Sequence, residues 1–399
     1  MIPEIREQYN REFTAEKYMA FLEDVHKVHP GAIRFRIAET PVFIPSSFLH
    51  RLKEASEEIM QVLTAPDFKK ETSQAIPKKL KVTHENIHAE FIILDFAICK
   101  NEEGNYIPQL IELQGFPSMN AFQVLLEENY RKHFFVPDGF SNYLNGYNRE
   151  TYWKLLHDII VADHDPAEVI LLEVNPHEQK TKIDFYLTQD KLGVRPVCIT
   201  ELIKEGKKLY YTYEGKKVPV KRMYNRLIFD DLRSQRKKLG RIVDLKHHLD
   251  VEWVSHPNWF YRISKFDLPL LQSKYVPAAY FVDKLEVTPA DLENYVLKPL
   301  YSFAGQGVVL HVKKKDIEKL KDPQNWILQK KIQYAPVIQT PDVPAKCEIR
   351  LMFYWKNGDA KPLLVQNLCR LSKGEMVGVR YNADKEWVGA GICFFEQGI

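Results

Sequence analysis

The pattern that most constrains the fold lies between residues 168 and 200. Glu168–Glu173 is an almost wholly apolar run of strand length, Glu178–Gly193 has the length of a helix that ends at a glycine, and Val197–Thr200 is a second short apolar run. A strand, a helix and a strand in this order predict a βαβ unit with a parallel sheet. We therefore expect an α/β protein, with α+β character wherever hairpins replace crossover helices.

The 399 residues are enough for two or three domains. Helical periodicity covers residues 14–28 and 47–64, and Ser46 or Ser47 is a plausible N-cap for the second helix. From about residue 260 onward the chain reads as strands and hairpins. The expected division is a helical region (1–84), a strand pair with a helix (85–150), a βαβ substrate domain (151–258) and an α+β nucleotide-binding domain (259–399).

Charge and composition exclude several classes of protein. The net charge is only +3, which gives no electrostatic case for a nucleic-acid partner or an anionic membrane. No apolar run approaches the length of a membrane span, and the first residues lack the apolar core of a signal peptide. The five cysteines form no close pair, so they suggest neither a zinc site nor a disulfide framework, and they fit a reducing compartment. We expect a cytoplasmic protein.

A pair of predicted strands, residues 90–98 and 107–114, carries acidic side chains in apolar surroundings. A hairpin centred between residues 103 and 104 places Asp95 opposite Glu112, and Gln114 lies on the same face as Glu112. A buried carboxylate is costly, and two facing carboxylates repel. Mg²⁺ would resolve both problems, so we predict a metal site there. The alternative is that Asp95 pairs with a lysine or caps the backbone, with Glu112 at a solvent edge.

A second triplet, Glu173-Val-Asn175, has a similar spacing. It ends the first strand of the βαβ unit, and no carboxylate lies on an obvious partner strand. We therefore expect these residues to line a substrate cleft at the end of the strand and not to bind a metal.

The segment from Lys298 to Leu310 contains a short loop between two apolar runs, Tyr295–Leu297 and Val308–Val312. The pattern predicts a hairpin with a small tip, whose residues include Ser302, Gly305, Gln306 and Gly307. Such a backbone can close on a phosphate, and the preceding lysine supplies a positive charge. The alternative is a glycine turn that only reverses the chain.

Other candidates for nucleotide binding lie on either side of this loop. Lys265 is a second candidate phosphate ligand, although a surface lysine would explain it equally well. The predicted strand 326–332 contains Gln329 and Lys330, and it would either offer backbone groups to an adenine edge or form an exposed sheet edge. Farther on, Arg350 and Arg370 have the planar donors that suit phosphate, or they form cross-strand ion pairs.

Taken in order, these motifs resemble the ATP-grasp superfamily, and more closely its circularly permuted, glutathionylspermidine synthase-like branch. Asp95, with Glu112 and Gln114 in Ile-Glu-Leu-Gln-Gly-Phe-Pro-Ser, matches the metal-binding motif of that branch, and Glu178–Gly193 resembles its glutamate-containing helix. The positions that fall where the branch binds ATP are Lys265, Lys298, the 302–307 loop and the Gln329 strand. The resemblance covers roughly residues 85–385.

Three features depart from the family pattern. Gln114 replaces an asparagine ligand, Ile93 replaces an arginine, and no amidase domain or cysteine-protease signature is present.

The resemblance implies an ATP- and Mg²⁺-dependent ligase that joins a small-molecule or peptide carboxylate to an amine through an acyl phosphate. Lys265 and Lys298 would hold the phosphates, and Arg350 or Arg370 would stabilise the transferring phosphoryl group. Two alternatives remain: a phosphotransferase on the same fold, and a nucleotide-binding module without turnover.

Overall fold

The computed structural model describes residues 2–301, 305–378 and 381–397. The helices are α1 Pro3–Glu12, α2 Ala15–Lys27, α3 Ser46–Leu63, α4 Phe68–Glu71, α5 Phe122–His133, α6 Arg149–Ile160, α7 Lys182–Leu192, α8 Phe229–Leu239, α9 Trp259–Arg262 and α10 Lys314–Glu318. The first strands are β1 Val42–Ile44, β2 Phe91–Lys100, β3 Tyr106–Gln114, β4 Phe140–Ser141, β5 Val169–Glu173, β6 Arg195–Cys198, β7 Ile203–Glu205, β8 Lys208–Tyr213 and β9 Lys216–Val220. The remaining strands are β10 Arg222–Asn225, β11 Glu252–Val254, β12 Ala279–Phe281, β13 Tyr295–Pro299, β14 Trp326–Lys330, β15 Lys346–Tyr354, β16 Leu363–Ser372, β17 Gly389–Gly391 and β18 Cys393–Glu396.

A five-stranded antiparallel sheet of order β17-β16-β15-β2-β3 forms the centre of the molecule. Its middle strand, β15, pairs with β2 from Glu348 opposite Ala97 to Tyr354 opposite Phe91. Strands that lie about 250 residues apart in the chain are therefore neighbours. The shared register brings the predicted acidic hairpin and the predicted arginine strands into one sheet.

The two faces of β2 meet different cores, which explains why this strand is buried almost throughout. Ile92, Leu94, Phe96 and Ile98 pack in the core that includes α3. Phe91 and Ile93 on the other face pack with α6 and β5. Because side chains alternate along a strand, Asp95 follows Phe91 and Ile93 on the second face. That face therefore changes from apolar to charged at Asp95.

The predicted βαβ unit is confirmed. Strands β5 and β6 are parallel, and α7 connects them and ends at Gly193 in the left-handed conformation that a glycine C-cap supplies. The helix begins at Lys182 and not at Glu178, because Pro176–Glu178 forms a 3₁₀ turn first. Strands β10 and β11 extend the parallel sheet to the order β11-β10-β5-β6.

Three smaller sheets complete the architecture. Strands β7, β8 and β9 form an antiparallel sheet in which β8 and β9 are a hairpin. Strands β12, β14 and β13 form an antiparallel sheet, and β13 also makes a bridge between Leu297 and Val309 across the glycine loop. The hairpin predicted there is thus a single bridge, and β13 pairs mainly with β14.

The predicted serine N-cap of the second helix is wrong. Helix α3 begins at Ser46 itself, and Pro45, which occupies the cap position, makes no side-chain cap bond. The carboxylate of Glu396 accepts a hydrogen bond from the Ser46 N–H at 2.8 Å instead. A residue 350 positions away thus satisfies an N–H at the start of the helix, which no local pattern reveals.

The segment 259–399 shares its sheets with earlier parts of the chain. Strands β15 and β16 belong to the sheet of β2 and β3, and β18 pairs in parallel with β1. The predicted division into four segments stays a prediction. Within the described ranges, every helix is too short or too polar to cross a lipid bilayer.

Candidate active site

The charged half of the central sheet collects side chains from several elements. Strands β2, β3, β15 and β16 contribute both acids and arginines, and two lysines approach from β13 and from the 3₁₀ helix after Ser264. We call this set the cationic cleft; it comprises the carboxylates of Asp95, Glu112 and Glu348 and the cations Lys265, Lys298, Arg350 and Arg370. With all groups ionised, four positive charges face three negative ones.

Asp95 lies opposite Glu112 as predicted, but not through the predicted register: the hairpin is centred on residue 103, and a register shift between Asp95 and Phe96 produces the pair. Asp95 also lies opposite Arg350 on its other side. The Arg350 guanidinium donates to both Asp95 oxygens, from Nε at 2.7 Å and from Nη2 at 2.6 Å. Its third nitrogen donates to Ser118 Oγ at 2.7 Å. The Asp95 side chain is 0% exposed. The buried carboxylate is therefore neutralised by a bidentate arginine.

Arg370 extends the ion-pair network toward solvent. It pairs with Glu348 directly across β15 and β16 and lies 3.6 Å from Asp95. Tyr334 donates from its hydroxyl to Glu348 at 3.4 Å. The Arg370 side chain is 38% exposed, against 13% for Arg350. Arg370 is therefore the arginine that an incoming anion can reach.

Glu112 lies among the positive charges. Burial raises the pKa of this carboxyl, but Lys265, Arg370 and other cations around it more than offset the burial and lower the pKa below its ordinary value. The Gln114 amide donates to Glu112 Oε1 at 3.0 Å. Glu112 is thus an anion that holds the cations of the cleft together.

Lys265 is buried and Lys298 is half-buried, and both are affected by Glu112. Burial lowers the pKa of Lys298 to about 8, partly offset by the charge of Glu112, and it lowers the pKa of Lys265 in the same way. Lys298 Nζ donates to the Ile111 carbonyl at 3.3 Å, which ties β13 to β3. Lysines of this kind gain the most when an anion replaces their lost hydration.

Gln329 lies in β14 on the face that also carries Lys298. The register pairs Val296 with Gln329 and Lys298 with Ile327, so these four side chains share one face. Gln329 is 0% exposed, and neither its amide nitrogen nor its amide oxygen has a hydrogen-bond partner. An unpaired buried amide is costly, which points to a ligand that would complete it.

The structure does not bring Lys330 into the cleft. Its side chain is exposed, on the face opposite to Gln329, and its N–H is bonded to the Ala278 carbonyl. Strand β14 is central in its sheet, so the alternative of an exposed edge strand is wrong.

The glycine loop is described only from Gly305. Gly305, Gln306 and Gly307 are exposed, and both glycines have φ near +70° to +77°, which explains why glycine occupies these positions. Ser302 lies outside the described residues.

The residues predicted to bind Mg²⁺ do not fit a resident metal ion in this arrangement. Both oxygens of Asp95 are held by Arg350, and the cleft already has an excess of positive charge. Among the described residues, the acids of the cleft form no group of three ligand atoms within metal-binding distance. The metal role of Asp95, Glu112 and Gln114 stays a prediction, and this geometry supports Asp95 least.

Sequence reasoning missed polar groups at the carboxyl end of the parallel sheet. Arg226 follows β10 and donates to the Ser118 carbonyl, while Asn225 Nδ2 and Arg226 Nε are buried without partners. Glu173, which the sequence did predict at the end of this strand, has its pKa raised by burial to about 7. The sequence did contain a signal for these groups: residues 222–225 could have been read as a third parallel strand, with the polar residues Asn225 and Arg226 at its end.

These elements define a mixed α/β fold. No family model matches the chain, and neither does any curated protein. Among solved structures, the chain is similar to a glutathione synthetase-like effector from Globodera pallida in its apo form. The TM-score is 0.56, the sequence identity is 10%, and the match covers 96% of each chain. At this identity the likeness shows the fold alone.

Proposed function

We propose that the cationic cleft binds the phosphates of ATP and that the protein is an ATP-dependent carboxylate–amine ligase. The observation that carries the proposal is the excess of cations over carboxylates in the cleft. Burial lowers the pKa of Lys298 although Glu112 is close to it, so a further anion would stabilise its ammonium form, and Arg370 is open enough to meet one. The unpaired amide of Gln329, beside Lys298, supports a nucleotide base as the rest of the ligand.

The proposed reaction has two steps. A carboxylate oxygen of the first substrate attacks the γ-phosphorus, the bond to the β-phosphate oxygen breaks, and ADP leaves. The amine nitrogen of the second substrate then attacks the acyl carbon, phosphate leaves and the nitrogen loses a proton. The two lysines would hold the phosphates in line, and Arg370 would stabilise the transferring group. In this mechanism the residues of the cleft position the phosphates and stabilise their negative charge.

The second half of the proposed site is the carboxyl edge of the parallel sheet. Ligands of α/β sheets bind at the carboxyl ends of the strands, where the strand order reverses. Here the order reverses between β5 and β10, which places Glu173 and Arg226 at that point. Ser118 links both halves, since its hydroxyl accepts from Arg350 and its carbonyl from Arg226. A substrate bound at this edge would lie next to the cationic cleft.

The test is product analysis with ATP and Mg²⁺ against panels of carboxylates and amines. A ligase forms ADP and phosphate in equal amounts, together with an amide that mass spectrometry identifies. A phosphotransferase forms ADP and a phosphorylated acceptor without free phosphate. We expect Lys298→Ala to lower nucleotide affinity at least tenfold, and Lys237→Ala, on the exposed surface of α8, to leave it unchanged.

Retention of wild-type binding and ADP formation by Lys298→Ala would show that the site is assigned wrongly. Circular dichroism of each variant separates this outcome from misfolding.

The second candidate function is a nucleotide-binding module without turnover. Arg350 donates hydrogen bonds to both oxygens of Asp95, so this carboxylate has no oxygen left for a catalytic metal ion. Stoichiometric ATP binding without ADP formation from any substrate pair would favour it.

A further inference from the structure

Three of the five cysteines meet in the core. Cys347 lies in β15, Cys369 in β16 and Cys393 at the start of β18, and their Sγ atoms all lie within 4.8 Å of one another. All three are 0% exposed. The spacing of the cysteines in the sequence could not show that three strands bring them together.

The cluster lies apart from the cationic cleft. Cys369 is directly opposite Ile349, and Cys347 lies two residues before Ile349 on the same face of β15. Glu348 and Arg350 alternate with these residues and so point to the other side of the sheet. A property of the cysteines can therefore be tested independently of the ATP site.

The position of Cys393 is fixed by a buried carboxamide. Asn367 Oδ1 accepts from the Cys393 N–H at 2.7 Å, and Asn367 Nδ2 donates to the Cys393 carbonyl at 3.0 Å. Asn367 also donates to the Asn142 carbonyl at 2.9 Å and is 0% exposed. This support holds a sulfur from the last strand against the central sheet, as a preorganised ligand set requires.

Gly391 packs closely against the cluster. A Cβ added to Gly391 would lie 3.3 Å from Cys369 Sγ, so any larger residue there would crowd that sulfur.

We propose that Cys347, Cys369 and Cys393 form a buried three-sulfur site for a soft metal ion, Cu(I). Thiolates select soft metals, and metal–sulfur bonds of about 2.3 Å in a trigonal site separate the sulfurs by about 4 Å. Structural zinc sites require a fourth ligand. Among the described residues, no histidine, carboxylate or further thiol joins the three. Cu(I) accepts three sulfur ligands, which matches the cluster.

Binding involves no change of oxidation state. Each Cu–S bond replaces an S–H bond, and the released proton leaves to solvent. The copper stays Cu(I) throughout, so the ion must be supplied in its reduced form. Because the sulfurs are buried, entry requires local opening of β18 or binding before that strand docks.

The test is a titration of the full-length, reduced protein with Cu(I) under anaerobic conditions, in competition with a chromophoric Cu(I) chelator. We expect one Cu(I) per chain, a near-ultraviolet sulfur-to-copper absorption and a higher melting temperature. Cys369→Ala should lower the affinity at least tenfold. The matched control is the double variant Cys99→Ser and Cys198→Ser, which removes the two cysteines outside the cluster and should bind as wild type does.

Unchanged affinity in Cys369→Ala, or loss of binding in the double variant, would overturn the proposal. X-ray absorption at the copper edge of the wild-type protein needs no variant and guards against misfolding. Three sulfur neighbours support the site, whereas nitrogen or oxygen neighbours, or no retained copper, refute it.

Discussion

Gln329 is a buried amide whose hydrogen bonds are missing, so it raises the free energy of the nucleotide-free protein. Leaving such a group unpaired costs about 1–3 kcal/mol. A ligand that supplies a donor and an acceptor would remove this cost. Gln329 would therefore lower the stability of the nucleotide-free protein and raise the affinity of the protein for nucleotide.

We expect Gln329→Leu to separate these two effects. The nucleotide-free variant should be as stable as wild type or more stable by about 1 kcal/mol, because no unpaired amide remains. The rise in melting temperature that ATP causes should shrink. Thermal unfolding with and without ATP measures both. Gln324→Leu, at an exposed position, is the control, and an ATP-dependent shift equal to wild type in Gln329→Leu would refute the contact.

The pKa of Lys298, which burial lowers to about 8, predicts a pH dependence of binding. As the pH rises from 7.5 to 9, the ammonium loses its proton and nucleotide affinity should fall by up to about tenfold. Beginning at pH 7.5 keeps Glu348, whose pKa burial raises to about 7, mostly ionised. Calorimetric titration measures the affinity. Lys298→Arg should show a flatter profile, and an equally steep fall in that variant would assign the titration to another group.

The stability of the nucleotide-free protein should rise with pH, whereas nucleotide affinity should fall. The folded pKa of Lys298 lies below its unfolded value, so the unfolded chain binds more protons between about pH 8 and pH 10. The contribution of Lys298 therefore destabilises the nucleotide-free fold fully below pH 8, and this cost is relieved as the pH rises through that window.

At the scale of elements, the turn after β3 connects the sheet to both halves of the proposed site. Gly115 donates its N–H to the Ile263 carbonyl at 2.8 Å, and a Cβ on Gly115 would lie only 2.5 Å from the Trp259 carbonyl oxygen. The backbone of β3 thus lies directly against α9. Ser118, three residues later, receives hydrogen bonds from Arg350 and Arg226. The close approach at Gly115 positions this serine.

We expect Gly115→Ala to destabilise the protein by about 1–3 kcal/mol, because the backbone must shift to admit the methyl group. Nucleotide affinity should fall as well, since the shift moves Ser118 away from Arg350. Urea unfolding and calorimetric titration measure the two effects. Gly378→Ala is the control, because its added Cβ would lie 3.4 Å from the ring of Tyr381, an ordinary contact. Equal stability of the two variants would contradict this account.

At the scale of the molecule, two sheets join early and late parts of the chain. Strand β2 pairs with β15 in the central sheet, and β1 pairs with β18 in the sheet that also contains β4. In each pair, one strand supplies the hydrogen-bond partners for the backbone N–H and C=O groups of the other. A fragment that contains only one strand of a pair therefore leaves these groups without their partners.

We therefore expect the fragments 1–258 and 259–399 to be unfolded or aggregated when expressed separately, and to regain structure when mixed. Circular dichroism and limited proteolysis measure this, with the full chain as the reference. A 259–399 fragment that folds on its own would support the predicted division of the chain. It would refute the argument that each fragment needs the strands of the other to fold.

Local patterns were enough to predict the elements that depend on near neighbours. The βαβ unit and the acidic hairpin follow from periodicity and turn residues, and the structure contains both. The pairing of Asp95 with Glu112 is also present, but it depends on a register shift between Asp95 and Phe96 that the pattern did not predict. The same patterns could not show that Arg350 would neutralise Asp95, or that Glu396 would cap α3. These contacts join residues more than 250 positions apart.

The sequence by itself determined which stretches are strands or helices, and that basic groups would occur near a glycine loop. Only the tertiary structure decided which charges face one another, that Gln329 is left without a partner, and that three distant cysteines share one core. The physical reason is that alternation and helical periodicity assign side chains to faces, whereas pairing between distant strands decides which faces meet.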